Sequence, residues 1–261
     1  MFWVFFILHF LLYPASNGYN SYFDKDEQSI GGLKNPPPTK KGLYYLAIIL
    51  DLLAIVLGYL MINLTFAIML LIYGLVSKAY SHPGIRLKKY AFTSLLITGI
   101  FQGFFTVLMC YIGLNNFGFE NSLRASVIVP GILTSFMLWA NYPMTQIYQH
   151  EEDSKRGDIT VSIKLGIKGT FYFAAIVFGV VLTGFLFYIN YSYGAKQALF
   201  FLIAVLPILI FFFYWLIVVL KDKSNANYSN TMWLNYISGT CLNIYFLYLF
   251  LDTTHVSQVF R

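Results

Sequence analysis

The sequence predicts an all-α, polytopic transmembrane bundle of about eight helices, and three observations predict it. Of its 261 residues, 58% are hydrophobic, 20% aromatic and 11% charged, less than half the roughly 25% charged share of a soluble domain. Eight apolar runs recur, each close to the about 20 residues a spanning helix needs. The charges outside those runs are sorted to one side. An ordinary soluble globule, a disordered chain and a disulfide-stapled secreted domain are excluded. The net charge of +6 then belongs to membrane topology, and no nucleic-acid partner is expected.

The first run, 2–22, resembles a leader at its start. It lacks a basic n-region and continues into Asn17 and Asn20, so it is read as structure. Runs 43–62 and 64–80 form a tight hairpin through Asn63. Run 90–114 carries Cys110 and run 231–251 carries Cys241, both read as small apolar core residues. Runs 122–149, 170–190 and 196–220 complete the set. The connections are short, so residues 1–261 are read as a single membrane domain.

Orientation follows from the loops. If the first run ends on side A, that side holds Lys25, Lys34, Lys40, Lys41, Lys78, Arg86, Lys88, Lys89, Lys155, Arg156, Lys164, Lys168, Lys221 and Lys223, against Arg124, Lys196 and Arg261 on side B. The positive-inside rule makes side A cytoplasmic. Eight of the 11 acids share that side. Topology does not require acids there, so they need another cause.

Offsetting the chain against itself by 129 residues matches Tyr13, Pro14, Tyr19 and Asp24 to Tyr142, Pro143, Tyr148 and Asp153, and pairs Asn17 with Gln146 and Asn20 with Gln149. A parallel repeat of four helices fits, with halves of about 1–121 and 122–261. Asn17, Asn20 and Asp24 share one helical face, and Gln146, Gln149 and Asp153 repeat the spacing. Pro14 and Pro143 are expected to kink both helices just before these polar faces. Such groups could glue helices together; a wet cavity between the two faces is the preferred reading.

Carboxylates from two helix ends beside basic loops suit Mg²⁺ bridging a diphosphate, because Mg²⁺ takes one or two carboxylates and completes its shell with phosphate oxygens and water. Lys25, Arg86, Lys88, Lys89, Lys155 and Arg156 are candidates for the phosphates. The 26 Phe and 21 Tyr suit lipid-like tails and, at a reacting centre, a carbocation. A diphosphate above a greasy channel describes a polyprenyl diphosphate site.

The residues carrying this reading resemble a known family. Asn20-Ser21-Tyr22-Phe23-Asp24-Lys25-Asp26-Glu27-Gln28 resembles the first aspartate motif of the UbiA superfamily of intramembrane prenyltransferases. Gln149-His150-Glu151-Glu152-Asp153, with Gly157 and Thr160 trailing, resembles the second, and Tyr80-Ser81-His82-Pro83-Gly84-Ile85-Arg86-Leu87-Lys88-Lys89 the basic loop between them. The resemblance implies that Mg²⁺ holds an allylic diphosphate and that the allyl group alkylates a hydrophobic, commonly aromatic acceptor. It implies Asp24 and Asp153 as metal ligands and catalytic groups, Asn20 and Gln149 in support, and Arg86 and Lys88 on the diphosphate.

The motifs also depart from the family's pattern. Ser21, Gln28 and Gln149 stand where it has aspartate; Glu27 and Glu152 are close enough in helical phase to compensate as metal ligands. Asp26 would point away on a continuing helix. The family usually places a further helix before its first motif, so one is expected to be missing here. Asp51 lies mid-span, where an acid is functional by default, with no partner named by the sequence. His150 would face away from its motif neighbours. Two alternatives remain open: a non-catalytic protein binding an isoprenoid or a partner, and a transporter, against which the acids cluster at one face.

Overall fold

The computed structural model describes residues 1–254, so Arg261 lies outside the described residues. Helix makes up 83% of the structure, and no strand occurs among the described residues. The first helix, α1, comprises Phe2–Phe6, Ile7–Leu12 and Tyr13–Asp24, the middle stretch being π-helical. Both joints keep right-handed helical dihedrals, so the helix is continuous. The wide turns immediately precede Pro14, whose ring lacks an N–H and crowds the turn before it.

The remaining long helices are α2 (Lys41–Met61), α3 (Leu64–Ser81), α4 (Ala91–Asn115), α5 (Ala125–Gln146), α6 (Val161–Tyr193), α7 (Ala195–Lys221) and α8 (Tyr228–Thr253). These seven are each long and apolar enough to cross a membrane. With α1 they make the eight long helices that the apolar runs predict. The second half of α1 stands apart because it carries Ser16, Asn17, Asn20, Ser21 and Asp24.

Helix starts are fixed by short polar side chains. Asn63 Oδ1 accepts the Phe66 N–H at 2.8 Å, Thr160 Oγ1 that of Ile163 at 3.3 Å, and Asn227 Oδ1 that of Asn230 at 3.0 Å, each satisfying an otherwise orphaned donor. The end of α5 differs from expectation. The helix passes through Pro130 and Pro143 and stops at Gln146, and a short helix, His150–Lys155, begins after a turn. Gln146, Gln149 and Asp153 are therefore not one face of one helix.

The core has two parts. Ile7, Leu12, Phe66, Leu70, Met109 and Ile112 pack the side-B half of α1, α3 and α4. Phe171, Trp215 and Val219 with Met144 fill the side-A half of α5–α7, and Val181, Val205 and Tyr245 the half below. The two parts meet where α4 crosses α5. A Cβ on Gly103 would lie 2.7 Å from the Ser135 backbone, so only glycine permits that approach. Here α4 turns π-helical over Gly99–Phe105, and the Phe104 N–H donates to Ser135 Oγ at 2.9 Å.

Lys78, grouped above with loop bases, lies inside α3 and forms an ion pair with Asp51 of α2. That supplies the partner which the sequence left unnamed. Breaking a buried pair leaves a bare charge and costs about 3–5 kcal/mol, whereas replacing both partners with apolar groups is often neutral. Asp51→Ala is therefore expected to lower thermal stability in a fixed detergent strongly, and Asp51→Leu with Lys78→Leu to recover most of the loss. Equal losses in both variants would contradict the pairing.

Candidate functional site

A polar cavity of about 280 Å³ opens at the side-A ends of α1, α3, α4 and α5. From α1 come Asn17, Asn20 and Asp24. The helix stops there because Lys25 turns left-handed (φ 52°, ψ 43°), its N–H still donating to Ser21 O at 3.0 Å. That turn leaves Lys25 exposed, carries Asp26 back into the cavity wall and leaves Glu27 exposed. The helical phase that would set Glu27 beside Asp24 and turn Asp26 away ends one residue too early.

The loop between α3 and α4 supplies the bases. Arg86 is also left-handed (φ 47°) and opens a 3-10 turn, Leu87–Lys89, that aims Lys88 inward. Lys88 Nζ pairs with Asp24 Oδ1 and donates to Asn20 Oδ1 at 3.2 Å, which also accepts from Ser81 Oγ at 2.7 Å. Arg86 grips Asp158 with two bonds of 2.8 Å and lies 3.7 Å from Asp24.

Beyond α5, the short helix presents Asp153, and Gly157 (φ 74°) turns the chain so that Asp158 N–H donates to Asp153 O at 2.9 Å. Arg156 lies between them. It pairs with Asp26, donates to Asp153 Oδ1 at 2.8 Å, and lies 3.8 Å from both Glu152 and Asp158. The 26–29 segment is fastened across the mouth: Glu152 Oε1 accepts the Glu27 N–H at 2.8 Å, and Gln149 Nε2 donates to Ser29 O at 3.3 Å.

Burial dominates the titration of the acids. It raises the Asp24 carboxyl against the opposing pull of Lys88, and pushes Asp153 up to about 6 despite Arg156. Hydrogen bonding to Asp158 raises Arg86, and burial lowers His150. Toward the membrane the cavity is bounded by hydrogen-bonded Tyr80 and Tyr142, then by Thr98, Gln102 and Tyr73. A second space lined by Tyr13, Ser16, Asn17, Tyr73, Gln102 and Thr106 adjoins it, sharing four of those residues.

The structure thus brings Asn20, Asp24, Lys88, Gln149, Asp153 and Arg156 to one cavity, with Arg86 behind it. It leaves Lys25, Glu27 and Lys155 at the surface; Lys155 pairs with Glu151 at 2.7 Å. Glu152 binds backbone and lies outside the lining. His150 bonds Ser162 at 2.7 Å, away from the cavity. Asp26, expected to point away, lines the cavity too, as do Asp158, Tyr80 and Tyr142, to which the sequence assigns no role. Tyr142 lies within the repeat, and Asp158 follows a glycine that marks a turn; these were the signals available.

A model of the UbiA prenyltransferase family matches residues 1–237. The chain belongs to the UbiA prenyltransferase family. No curated protein and no solved structure shows a significant match to it. Membership in the UbiA family supports prenyl transfer in general, and with seven helices able to cross a membrane this is an integral membrane protein.

UbiA enzymes generally use Mg²⁺ to assist diphosphate departure. Among the described residues no group of three or more His, Cys, Asp or Glu is placed to hold a metal. Asp24 and Asp153 each commit Oδ1 to a base, while Oδ2 of each makes no hydrogen bond among the described residues. Arg156 Nε and Gln146 Oε1 are likewise buried without a partner. This set fits an ion that arrives with phosphate oxygens and completes its shell with them, and does not form a ready-made cage.

The raised Asp153 carboxyl gives a signed pH effect. The folded state holds this proton more tightly than the unfolded chain, so the resulting stabilisation is complete below about pH 4 and is lost as pH rises through about 6. A shift of about two units corresponds to roughly 3 kcal/mol. Thermal unfolding of ligand-free protein between those pH values is expected to fall more steeply for wild type than for Asp153→Asn. Identical slopes would show that Asp153 is not buried as described.

Proposed function

We propose that the protein transfers a prenyl group from an allylic polyprenyl diphosphate to a hydrophobic, aromatic or lipid-like acceptor at the cytoplasmic membrane face. The observation that carries this reading is the pair Asp24 and Asp153, facing one polar cavity with a free oxygen each and with Lys88 and Arg156 beside them. The parallel four-helix repeat, with halves of about 1–121 and 122–261, belongs to the same proposal: each half contributes one acid.

In this reading the Asp24 and Asp153 carboxylates would hold Mg²⁺, which when bound would supply charge neutralisation for a leaving diphosphate. Lys88 and Arg156 exchange carboxylate partners for phosphate oxygens, and the unpartnered Arg156 Nε is the first donor available to them. Arg86 stays on Asp158 and keeps the basic loop in position. Asn20 holds Lys88 in register, and Gln149 keeps the 26–29 segment over the mouth. Lys25 and Lys155 act from the rim. The allylic carbon–oxygen bond breaks with its electron pair leaving on diphosphate, the acceptor forms the new bond to carbon, and the acceptor's proton is lost. Tyr80 and Tyr142 bound the cavity on the membrane side, and the 26–29 segment over the mouth limits bulk water at the cation.

Membranes containing the protein, incubated with labelled prenyl diphosphates and an acceptor panel, are expected to release diphosphate in an Mg²⁺-dependent way. Asp24→Asn and Asp153→Asn are each expected to lower release by about 100-fold or more. Glu27→Gln, at an exposed position outside the cavity, stays within about twofold. The non-catalytic reading draws on the ion pairs that already occupy Asp24 and Asp153 and on the neutral Ser21, Gln28 and Gln149. Tight binding without turnover across the whole panel would favour it and sink the enzyme.

A further inference from the structure

A second cavity of about 230 Å³ lies within the other half of the bundle, between α5, α6, α7 and α8. Its walls are Met, Leu, Phe and Ile side chains, with Asn141, Asn235 and Ser238 as polar members and no charged residue among the described lining. None of these three polar side chains makes a hydrogen bond among the described residues. An amide at membrane depth is costly unless something satisfies it.

The cavity is separate from the diphosphate site. On α5 the lining positions 137, 138, 140, 141 and 144 centre roughly 130° away from Tyr142, Thr145 and Gln146, taking 100° per residue. It is also oriented. Asn141 lies five residues before the end of α5, about 8 Å deep, whereas Leu242 lies fourteen residues into α8, about 21 Å deep. The two amides therefore sit toward the cytoplasmic face, with Phe178, Ile208 and Leu242 below them. Gly239 adds no side chain to the lining, and a Cβ there would meet nothing within 4 Å, so a larger residue has room to enter.

We propose that this cavity is a second binding site, for a neutral amphiphile with a hydrogen-bonding hydroxyl or carbonyl head and an apolar tail. An amide both donates and accepts, so Asn141 and Asn235 can each bond such an oxygen. The absence of any cation from the lining rejects phosphate and carboxylate heads, which would be buried unpaired. The volume falls below the roughly 300–1,000 Å³ of sites for drug-sized ligands, so the head and first part of a tail fill it. The site goes beyond the proposed transfer reaction and does not depend on it.

Purified protein in nanodiscs, photolabelled with diazirine-bearing farnesol, tests this directly. Labelled peptides are expected from 137–144 and 234–242, with competition by unlabelled farnesol and none by farnesyl diphosphate or oleate. Asn141→Leu with Asn235→Leu is expected to lower labelling by about tenfold through the lost hydrogen bonds, with thermal stability kept or raised. Gly239→Leu fills the open space and is expected to block labelling by volume alone. Labelling confined to peptides of the first cavity, labelling displaced equally by farnesyl diphosphate, or labelling unchanged in both variants would overturn the proposal. Because the readout is alcohol binding, it stands whether or not diphosphate chemistry is found.

Discussion

Arg156 pairs with Asp26 from the segment after α1 and Asp153 from the short helix, and stands near Asp158 beyond the glycine turn. A guanidinium is always charged and presents a rigid fork of donors, so it can hold several carboxylates that would otherwise repel one another. Here it is largely buried, where an unpaired charge of either sign would be strongly unfavourable. Arg86 and Lys88 extend the same pattern to Asp158 and Asp24. The ends of α1 and α5, and the loop leaving α3, are positioned by this one set of ion pairs.

The membrane explains why the set sits where it does. Below the mouth, polar side chains must find partners or a cavity, and those of α1 do so: Ser16 bonds Ser77 at 2.6 Å, and Asn17 lines the cavity. Above it, water screens stray charges, and exposed Lys25 and Lys155 need no buried partner. Between these zones, in the proposed reaction, bases neutralised by acids would exchange them for phosphate oxygens, and the freed carboxylates would take the metal that arrives with the phosphate. The unpartnered Arg156 Nε leaves a donor for that exchange, and Gln146 Oε1 an acceptor for a cation or its water.

Much of this was legible in the sequence because hydropathy and helical spacing are strong signals. The eight long helices follow from apolar runs, and Asn17, Asn20 and Asp24 do share a face, because α1 stays helical through Asp24. The failures all lie at helix ends, where one residue changes every direction after it. Lys25 adopts a left-handed turn that neither glycine nor asparagine announces, and so exchanges the places expected of Asp26 and Glu27. The α5 helix stops at Gln146, so Gln149 and Asp153 reach the cavity from a separate short helix. Lys78 counts among the side-A bases by charge alone although run 64–80 contains it; in space it neutralises Asp51.

In the proposed reaction the two acidic helix ends act together, and only with a metal-bound diphosphate. It is tested most directly by equilibrium binding of a non-reactive prenyl thiodiphosphate, with and without Mg²⁺, to wild type, Asp24→Asn and Asp153→Asn. Mg²⁺ is expected to tighten wild-type binding by about tenfold or more, the scale of one or two charge-assisted bonds, and either substitution to abolish this gain. Binding equally tight without Mg²⁺, and indifferent to both substitutions, would contradict it.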